Sequence, residues 1–373
     1  MCRFNCPARL AMTLVISVFC CHLAHAEIVR IAIAGPFTGA VAQYGDMVKA
    51  GALTAIEQIN AAGGAAGKKF EAVLLDDACE PKQAVAVANK VVSEGIKFVI
   101  GHVCSGSTIP AADIYENEGV VMITPSATAL QLTDAKQRQF IFRTIGRDDQ
   151  QGPAAAKYVI EQLKPQKVAV LHDKQSYGQG MATSVKAALD AAKIPVLVFE
   201  GIHAGDSDYS AVITKLKSRG VDFVYFGGYH PEMGLLLRQA REQGIKAVFM
   251  GPEGVGNKDI TAIAGAASEG MLVTLPVDFA ADPANAALLM AFAAQKRDPN
   301  GPFQMPAYAG VKVIADAIAG AKSSDPAQVA AYLHSHSFKT PIGVVAYDDK
   351  GDLKSFKFVV YTWHQDASKT ALN

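Results

Sequence analysis

Two short apolar runs, Val73-Leu74-Leu75 and Lys97-Phe98-Val99-Ile100, are each bounded by polar and glycine residues, and a segment with helical spacing lies between them. From Glu80 to Gly95 the apolar residues fall at Ala84, Ala86, Val87, Val91 and Val92, which makes one face of a helix. Runs of this kind suit strands buried on both sides of a parallel sheet, so the unit reads strand, helix, strand. A right-handed crossover brings the carboxyl ends of both strands to one sheet edge. On this reading Cys79, in Asp76-Asp77-Ala78-Cys79, and Cys104, in Gly101-His102-Val103-Cys104-Ser105-Gly106-Ser107-Thr108, finish neighbouring strands about 5 Å apart, within disulfide reach. Ligands of open α/β sheets bind just beyond such ends. Ser105, Ser107 and Thr108 open the next helix there, where free N–H groups and the helix dipole favour a carboxylate or phosphate.

The first 26 residues bear on the compartment. Arg3 and Arg9 stand without an acid, an apolar run follows from Leu10 to Cys21, and Ala24-His25-Ala26 closes the segment. This is the series of a secretory signal peptide, with cleavage expected before Glu27. The apolar run is shorter than the about 20 residues that a bilayer span needs, and no later stretch is long enough either, so no membrane anchor is expected. Phe19 ahead of Cys20, and an Ala-x-Ala site downstream of Cys20 and Cys21, argue against lipidation. Cys2, Cys6, Cys20 and Cys21 leave with the leader, and the two remaining cysteines of an exported chain most simply form one disulfide, Cys79 to Cys104. The leader holds two of the 35 basic residues and none of the 35 acidic ones, so the mature chain carries 33 against 35, a net charge of −2. That balance gives no electrostatic case for a nucleic-acid or anionic-lipid partner.

The mature length suits about two domains. Ile28 to Ala34 reads as a first strand, and a helix runs through Val48 to Asn60 before Gly63-Gly64. A helix near Ile109 to Tyr115 and a strand at Val120 to Ile123 follow, the strand ending in Pro125-Ser126-Ala127-Thr128. A second series starts at Lys167: strands at 168–171, 196–199, 223–226, 247–250 and 271–275 alternate with helices at 177–192, 209–218, 233–243 and 260–264. Such alternation argues for parallel sheets flanked by helices. The chain looks doubled, with Gln43-Tyr44-Gly45-Asp46-Met47 and Ser176-Tyr177-Gly178-Gln179-Gly180-Met181 each following a strand and preceding a helix. Two similar lobes would face each other across a cleft. Residues 286–321 read as mostly helical, interrupted at 298–302, and late strands are expected at 344–347 and 356–361, passing back between the lobes.

The chemistry is that of binding. Gly178-Gln179-Gly180 fails as a dinucleotide loop because Thr183 stands at the third glycine position. His102, Cys104, Cys79 and Asp77 could be drawn as a metal site, but a bridged sulfur is not a thiolate ligand, and no metal or cofactor is expected. His334-Ser335-His336 reads as a solvated helix end. His172 and Asp173 are the best acid–base candidates, yet without a nucleophile they read as caps of the following loop, and no enzyme is expected. What remains is three hydroxyls (Ser105, Ser126, Thr128), four aromatics (Tyr44, Tyr177, Tyr229, Phe303) and one carboxylate (Glu253), nearly all at strand ends or in loops.

Long runs in these regions carry a family resemblance: Asp76 to Lys90, Gly101 to Ser105, His172 to Gly178, Asp222 to Tyr229 and Phe249 to Asn257. In them the chain resembles the periplasmic leucine/isoleucine/valine-binding proteins of ATP-driven importers over essentially its whole mature length. The resemblance implies a type I periplasmic binding protein fold, α/β, with two doubly wound parallel-sheet lobes joined by three crossovers near residues 147, 276 and 356. Lobe 1 would hold residues 27–147 plus 276–356, and lobe 2 residues 148–275 plus 357–373. It further implies that Ser105 and Thr128 hold a ligand α-carboxylate, and that the Ser126 carbonyl, the Thr128 hydroxyl and Glu253 take the α-ammonium. Tyr177, Tyr229 and Glu253 would engage from the second lobe, and Tyr44 and Phe303 would wall the side-chain pocket. A zwitterion leaving water needs this pairing, because unpaired buried charge is costly. The implied partners are the amino acid and the membrane permease of an ABC importer, with the receptor a monomer. The choice among leucine, isoleucine, valine and phenylalanine stays open, as does a sensor role or an amide ligand on the same fold.

Overall fold

A computed structural model describes residues 1–2 and 27–372. The leader expected over residues 1–26 lies, apart from Met1 and Cys2, outside the described residues. The first series runs β1 (Ile28–Gly35), α1 (Ala42–Ala61), β2 (Lys69–Asp76), α2 (Pro81–Ser93), β3 (Phe98–Ile100), α3 (Ser105–Asn117), β4 (Val121–Thr124), α4 (Gln131–Asp134) and β5 (Ile141–Arg143). Its five strands pair in parallel in the order β2-β1-β3-β4-β5. Ile31, Ala32, Ile33 and Ala34 are all fully buried, because alternate residues of β1 enter opposite layers. Ile31 and Ile33 join the core that contains Val48 and Ala52 of α1, while Ala32 and Ala34 join the one that contains Ala84 and Val87 of α2. A continuous apolar run is what a strand sandwiched between helices needs.

The second series runs α5 (Asp148–Tyr158), β6 (Val168–His172), α6 (Ser176–Ala191), β7 (Val196–Gly201), α7 (Ser210–Arg219), β8 (Phe223–Gly227), α8 (His230–Glu242), β9 (Val248–Gly251), α9 (Asp259–Ala264) and β10 (Met271–Pro276). The chain then passes through α10 (Ala286–Ala294), α11 (Gln304–Ala321), α12 (Pro326–Ser335), β11 (Ser337–Thr340), β12 (Gly343–Ala346), β13 (Phe358–Trp363) and β14 (Lys369–Leu372). The second sheet has the order β14-β13-β10-β9-β8-β6-β7. Strands β6 to β10 pair in parallel, and β13 and β14 add to the edge antiparallel. Helix α11 returns to pack on α1 of the first sheet. The molecule is thus an α/β protein of two parallel-sheet lobes.

The sequence expectation needs correction at two places. Cys79 and Cys104 do not finish neighbouring strands: β1 lies between β2 and β3 and pairs with both. The crossover through α2 skips one strand, and the β2–α2 turn, with Ala78 and Cys79 at φ 48° and 63°, folds back over the end of β1. The cysteines still meet, with Cα atoms 5.6 Å apart, and form a disulfide. The Tyr44 and Tyr177 motifs lie inside the first turns of α1 and α6 and not ahead of them. Short strands β5, β11 and β14 were not anticipated, and the late strand β12 pairs with β11 in a separate ribbon.

A buried charge network fixes the loop after β4. Arg143 is fully buried and donates to Asp352 (2.6 Å), the carbonyls of Ala127 (2.6 Å) and Ala129 (2.8 Å), and the Thr133 hydroxyl (2.9 Å). Arg147 reaches the same Asp352 at 2.5 Å. Next to the disulfide, Asp77 accepts from His102 at 2.5 Å, and the other ring nitrogen lies 3.0 Å from the Tyr115 hydroxyl, all three side chains buried. The loops at the end of the first sheet are therefore held by polar bonds that water cannot replace. Cys79→Ser is expected to lower unfolding stability by about 3 kcal/mol on the chain-entropy account of a loop this long. Thermal unfolding with and without reductant checks it: the variant should melt below the oxidised wild type and be indifferent to reductant.

Candidate functional site

The carboxyl ends of the two sheets face each other, and their loops pack closely around a narrow cavity of about 10 Å³. Val103, Ser105 and Ser126 line it from the first sheet, Tyr177, Tyr229, Glu253 and Gly254 from the second, and Phe303 from the residue before α11. Six of the eight residues singled out in the sequence are thus brought to one place. Tyr44 and Thr128 are buried one layer behind. A wider groove of about 650 Å³ runs along the outer seam past Gln43, Asn257 and Lys369, outside the aromatic wall.

Each side chain is placed by local structure. Ser105 is the first residue of α3, and its hydroxyl accepts from the Ala129 amide at 3.3 Å, tying the helix start to the loop that carries Ser126 and Thr128. Thr124 holds the other end of that loop: its hydroxyl donates to the His102 carbonyl (2.7 Å) and accepts from the Ala127 amide (2.9 Å). Ser107 and Thr108, expected beside Ser105, are fully buried and do not line the cavity. Thr108 returns its hydroxyl to the Cys104 carbonyl at 2.8 Å. Glu253 opens a single 3₁₀ turn after β9. The next residue, Gly254, donates its amide to the Tyr177 hydroxyl at 2.9 Å and accepts the Tyr44 hydroxyl at 2.7 Å.

The aromatic wall is continuous. Tyr229 sits between Tyr177 (centroids 5.2 Å) and Tyr44 (6.3 Å), and Phe303 meets Tyr44 edge-on at 5.4 Å. The two Tyr-Gly motifs of the doubled sequence therefore converge on one ring. His230, which the sequence reading missed, places Nδ1 3.2 Å from the Tyr44 hydroxyl. Burial lowers its pKa to about 4 against the pull of Asp259, so the ring is neutral and can donate from Nδ1 while Tyr44 donates to Gly254. A second bond, from Gln43 to Asp259 at 2.6 Å, also crosses between the sheets.

Electrostatically the cavity is short of positive charge. Glu253 is 1% exposed, and burial, then Asp148, pushes its pKa up to about 8, with Gln151 and Tyr177 pulling the other way. Burial and the Glu253 charge likewise raise Tyr44 and Tyr177. The lining offers a carboxyl acceptor at Glu253 and an apolar face at the rings.

His172 and Asp173 cap the β6–α6 turn: His172 Nδ1 accepts from the Lys174 amide (3.1 Å) and Asp173 from the Gln175 amide (2.9 Å). Gly178 marks a close approach, since a Cβ there would lie 2.3 Å from Asp173 Oδ1 and 2.5 Å from the Gly227 carbonyl. His334 bonds the carbonyls of Asp348 and Gln139, and His336 stacks on Tyr332. Among the described residues no group of three or more His, Cys, Asp or Glu could hold a metal ion, and no helix is long and apolar enough to cross a membrane.

These features are those of a two-lobed solute receptor, and the sequence agrees. Residues 28–368 match the periplasmic binding protein family, and the chain belongs to it. It is 60% identical over 363 residues, 97% of each chain, to the leucine-, isoleucine-, valine-, threonine-, and alanine-binding protein of Pseudomonas aeruginosa. It is 50% identical over 349 residues, 94% of each chain, to the Leu/Ile/Val-binding protein of Escherichia coli. Among solved structures it resembles the leucine binding protein LivK from Thermotoga maritima, with a TM-score of 0.85, 28% identity, and coverage of 92% of this chain and 98% of that one. The substrate binding protein LivJ from Streptococcus pneumoniae, in complex with isoleucine, gives a TM-score of 0.83 at 26% identity, covering 93% and 99%.

Tyr44→Phe removes the hydroxyl shared by Gly254 and His230 and leaves two buried polar groups unpaired, which is expected to weaken contact between the lobes by about 1–3 kcal/mol. Small-angle scattering of ligand-free protein checks it, with a larger radius of gyration expected for the variant than for wild type.

Proposed function

We propose that this chain is an exported periplasmic receptor that captures a branched-chain aliphatic amino acid between its lobes and delivers it to the membrane permease of an ABC importer. The observation that carries the reading is the cavity itself: one carboxylate of raised pKa, Glu253, opposite hydroxyls and a helix start, with an apolar aromatic wall beside them. Relatives at 50–60% identity whose names state leucine, isoleucine and valine binding support the ligand class.

In this reading Ser105 and Thr128 hold the ligand carboxylate, and the Ser126 carbonyl, the Thr128 hydroxyl and Glu253 hold the ammonium. Tyr177 and Tyr229 close from the second lobe, and Phe303, with Tyr44 behind it, limits the side chain. The α3 dipole favours the carboxylate end, and transfer of the zwitterion out of water is offset only if both its charges are met. The ligand favours the closed form because contacts from both lobes exist together only there. No covalent step is involved. The lobes divide at 27–147 plus 276–356 against 148–275 plus 357–373, residues 1–26 act as a cleaved leader, and the receptor works as a monomer.

Calorimetric titration of mature protein, unfolded and refolded to strip bound ligand, tests the reading. Leucine, isoleucine or valine should bind one-to-one and glutamate should not; silence to all of them would overturn it. Glu253→Ala is expected to weaken leucine binding by about 3–5 kcal/mol, since it leaves a buried ammonium unpaired. Phe303→Ala should cost leucine more than alanine, and equal losses would place Phe303 outside the side-chain pocket.

A further inference from the structure

Behind the cavity stands a second carboxylate to which neither the sequence reading nor the site just described gives a role. Asp148 is the first residue of α5, directly after the Arg147 crossover, and is 1% exposed. Its amide donates to the Thr128 carbonyl at 3.1 Å, and the Thr128 hydroxyl lies beside its carboxyl without completing a hydrogen bond. Both Asp148 oxygens, Thr128 Oγ1, Gln151 Oε1, Glu253 Oε2 and the Tyr225 hydroxyl have no hydrogen-bond partner among the described residues. The space was kept for it: a Cβ on Gly180 of α6 would lie 2.7 Å from Asp148 Oδ2. A buried carboxylate with two free oxygens is costly unless a cation or a donor arrives.

We propose that Asp148 is a positioning residue of the ammonium subsite: its carboxylate takes the Thr128 hydroxyl in a hydrogen bond, turns the Thr128 lone pairs toward the ligand ammonium, and adds a second negative charge beside Glu253. The inference rests on the amino-acid receptor reading above. A hydroxyl has one proton, so Thr128 can accept from an ammonium with its geometry fixed only if something else takes that proton. Glu253 alone leaves the choice open, and Asp148 settles it.

The groups around Asp148 give the pH dependence its sign. Burial pushes its pKa up to about 7, against the lowering pull of Thr128, of Arg143 on β5 and of Arg147, while Asp149 raises it. Within its own lobe it faces Glu253 and the Tyr225 hydroxyl of β8, both raised by burial and by the Asp148 charge. In the ligand-free cleft a proton is held here below neutral pH. An arriving ammonium favours the ionised form of both acids, their protons leave to solvent, and affinity falls as pH falls first through about 8, where Glu253 titrates, and then through about 7, the step that Asp148 adds.

The test is leucine titration of the exported, ligand-stripped chain from pH 5.5 to 8, as wild type and as Asp148→Asn, each in phosphate and in Tris buffer so that proton release is read from the heats. At pH 8 the variant should bind about tenfold or more weakly, the loss of one charge-assisted hydrogen bond, and at pH 5.5 the two should differ by about threefold or less. The variant should also release fewer protons. Combining Asp148→Asn with Thr128→Val should cost less than the two separate losses together, because one removes the partner of the other. Equal affinity of wild type and Asp148→Asn at every pH overturns the proposal. Should the variant not fold, absence of proton release by wild type at pH 6.5 overturns it as well. Wild-type silence to leucine would instead defeat the receptor reading, and this inference with it.

Discussion

A carboxylate withdrawn from water must find a positive charge or give up its own, and the cleft is organised by that requirement. Glu253 is held on a 3₁₀ turn with its backbone committed: the Gly254 amide goes to Tyr177 and the Gly254 carbonyl to Tyr44. Asp148 stands on the far side of Glu253, and the cationic side chain nearest the pair, Arg143, has its three nitrogens engaged elsewhere. No side-chain cation is left over for the pair, and both carboxyls answer by holding their protons to higher pH than usual.

That contrast between compensated and uncompensated charge runs through the first lobe. Arg143 is as deeply buried as Glu253, but each of its three nitrogens is hydrogen-bonded, so it acts as a rivet between β5, the 127–133 loop and Asp352. The Asp77–His102–Tyr115 chain does the same behind the disulfide. Both flank the segment that presents Ser105, Ser126 and Thr128. Rigid loops matter here because hydroxyls select a ligand by direction, and a direction is only as well defined as the backbone that carries it.

The alternation of strands and helices was legible because parallel strands buried on both faces read as unbroken apolar runs, as in Ile31 to Ala34. Which strands are neighbours was not, since pairing depends on how far each crossover helix carries the chain; hence β1 lies between the strands that lead to Cys79 and Cys104. Strands β5 and β14 escaped notice for a different reason: Ile141–Arg143 is too short to show a period, and Lys369–Leu372 is an edge strand with little apolar content. At the site, hydroxyl and aromatic residues at strand ends stood out by position. Asp148 did not, because Asp148-Asp149-Gln150-Gln151 reads as a solvated helix start, and only the tertiary fold turns the first of the two acids inward while Asp149 stays at the surface. His230, following Tyr229 and preceding Pro231, gave no hint that it would meet α1 of the other lobe.

The doubled Tyr-Gly motif gives the last step. Tyr44 and Tyr177 occupy corresponding first turns in the two lobes, yet they do different work: Tyr177 bonds within its own lobe, while Tyr44 bonds across to Gly254 and His230. The side-chain wall is therefore complete only when the lobes meet, and the bond that completes it is also one of those that hold them together. Completion of the aromatic wall and contact between the lobes are in this way a single event, because the Tyr44–Gly254 bond belongs to both.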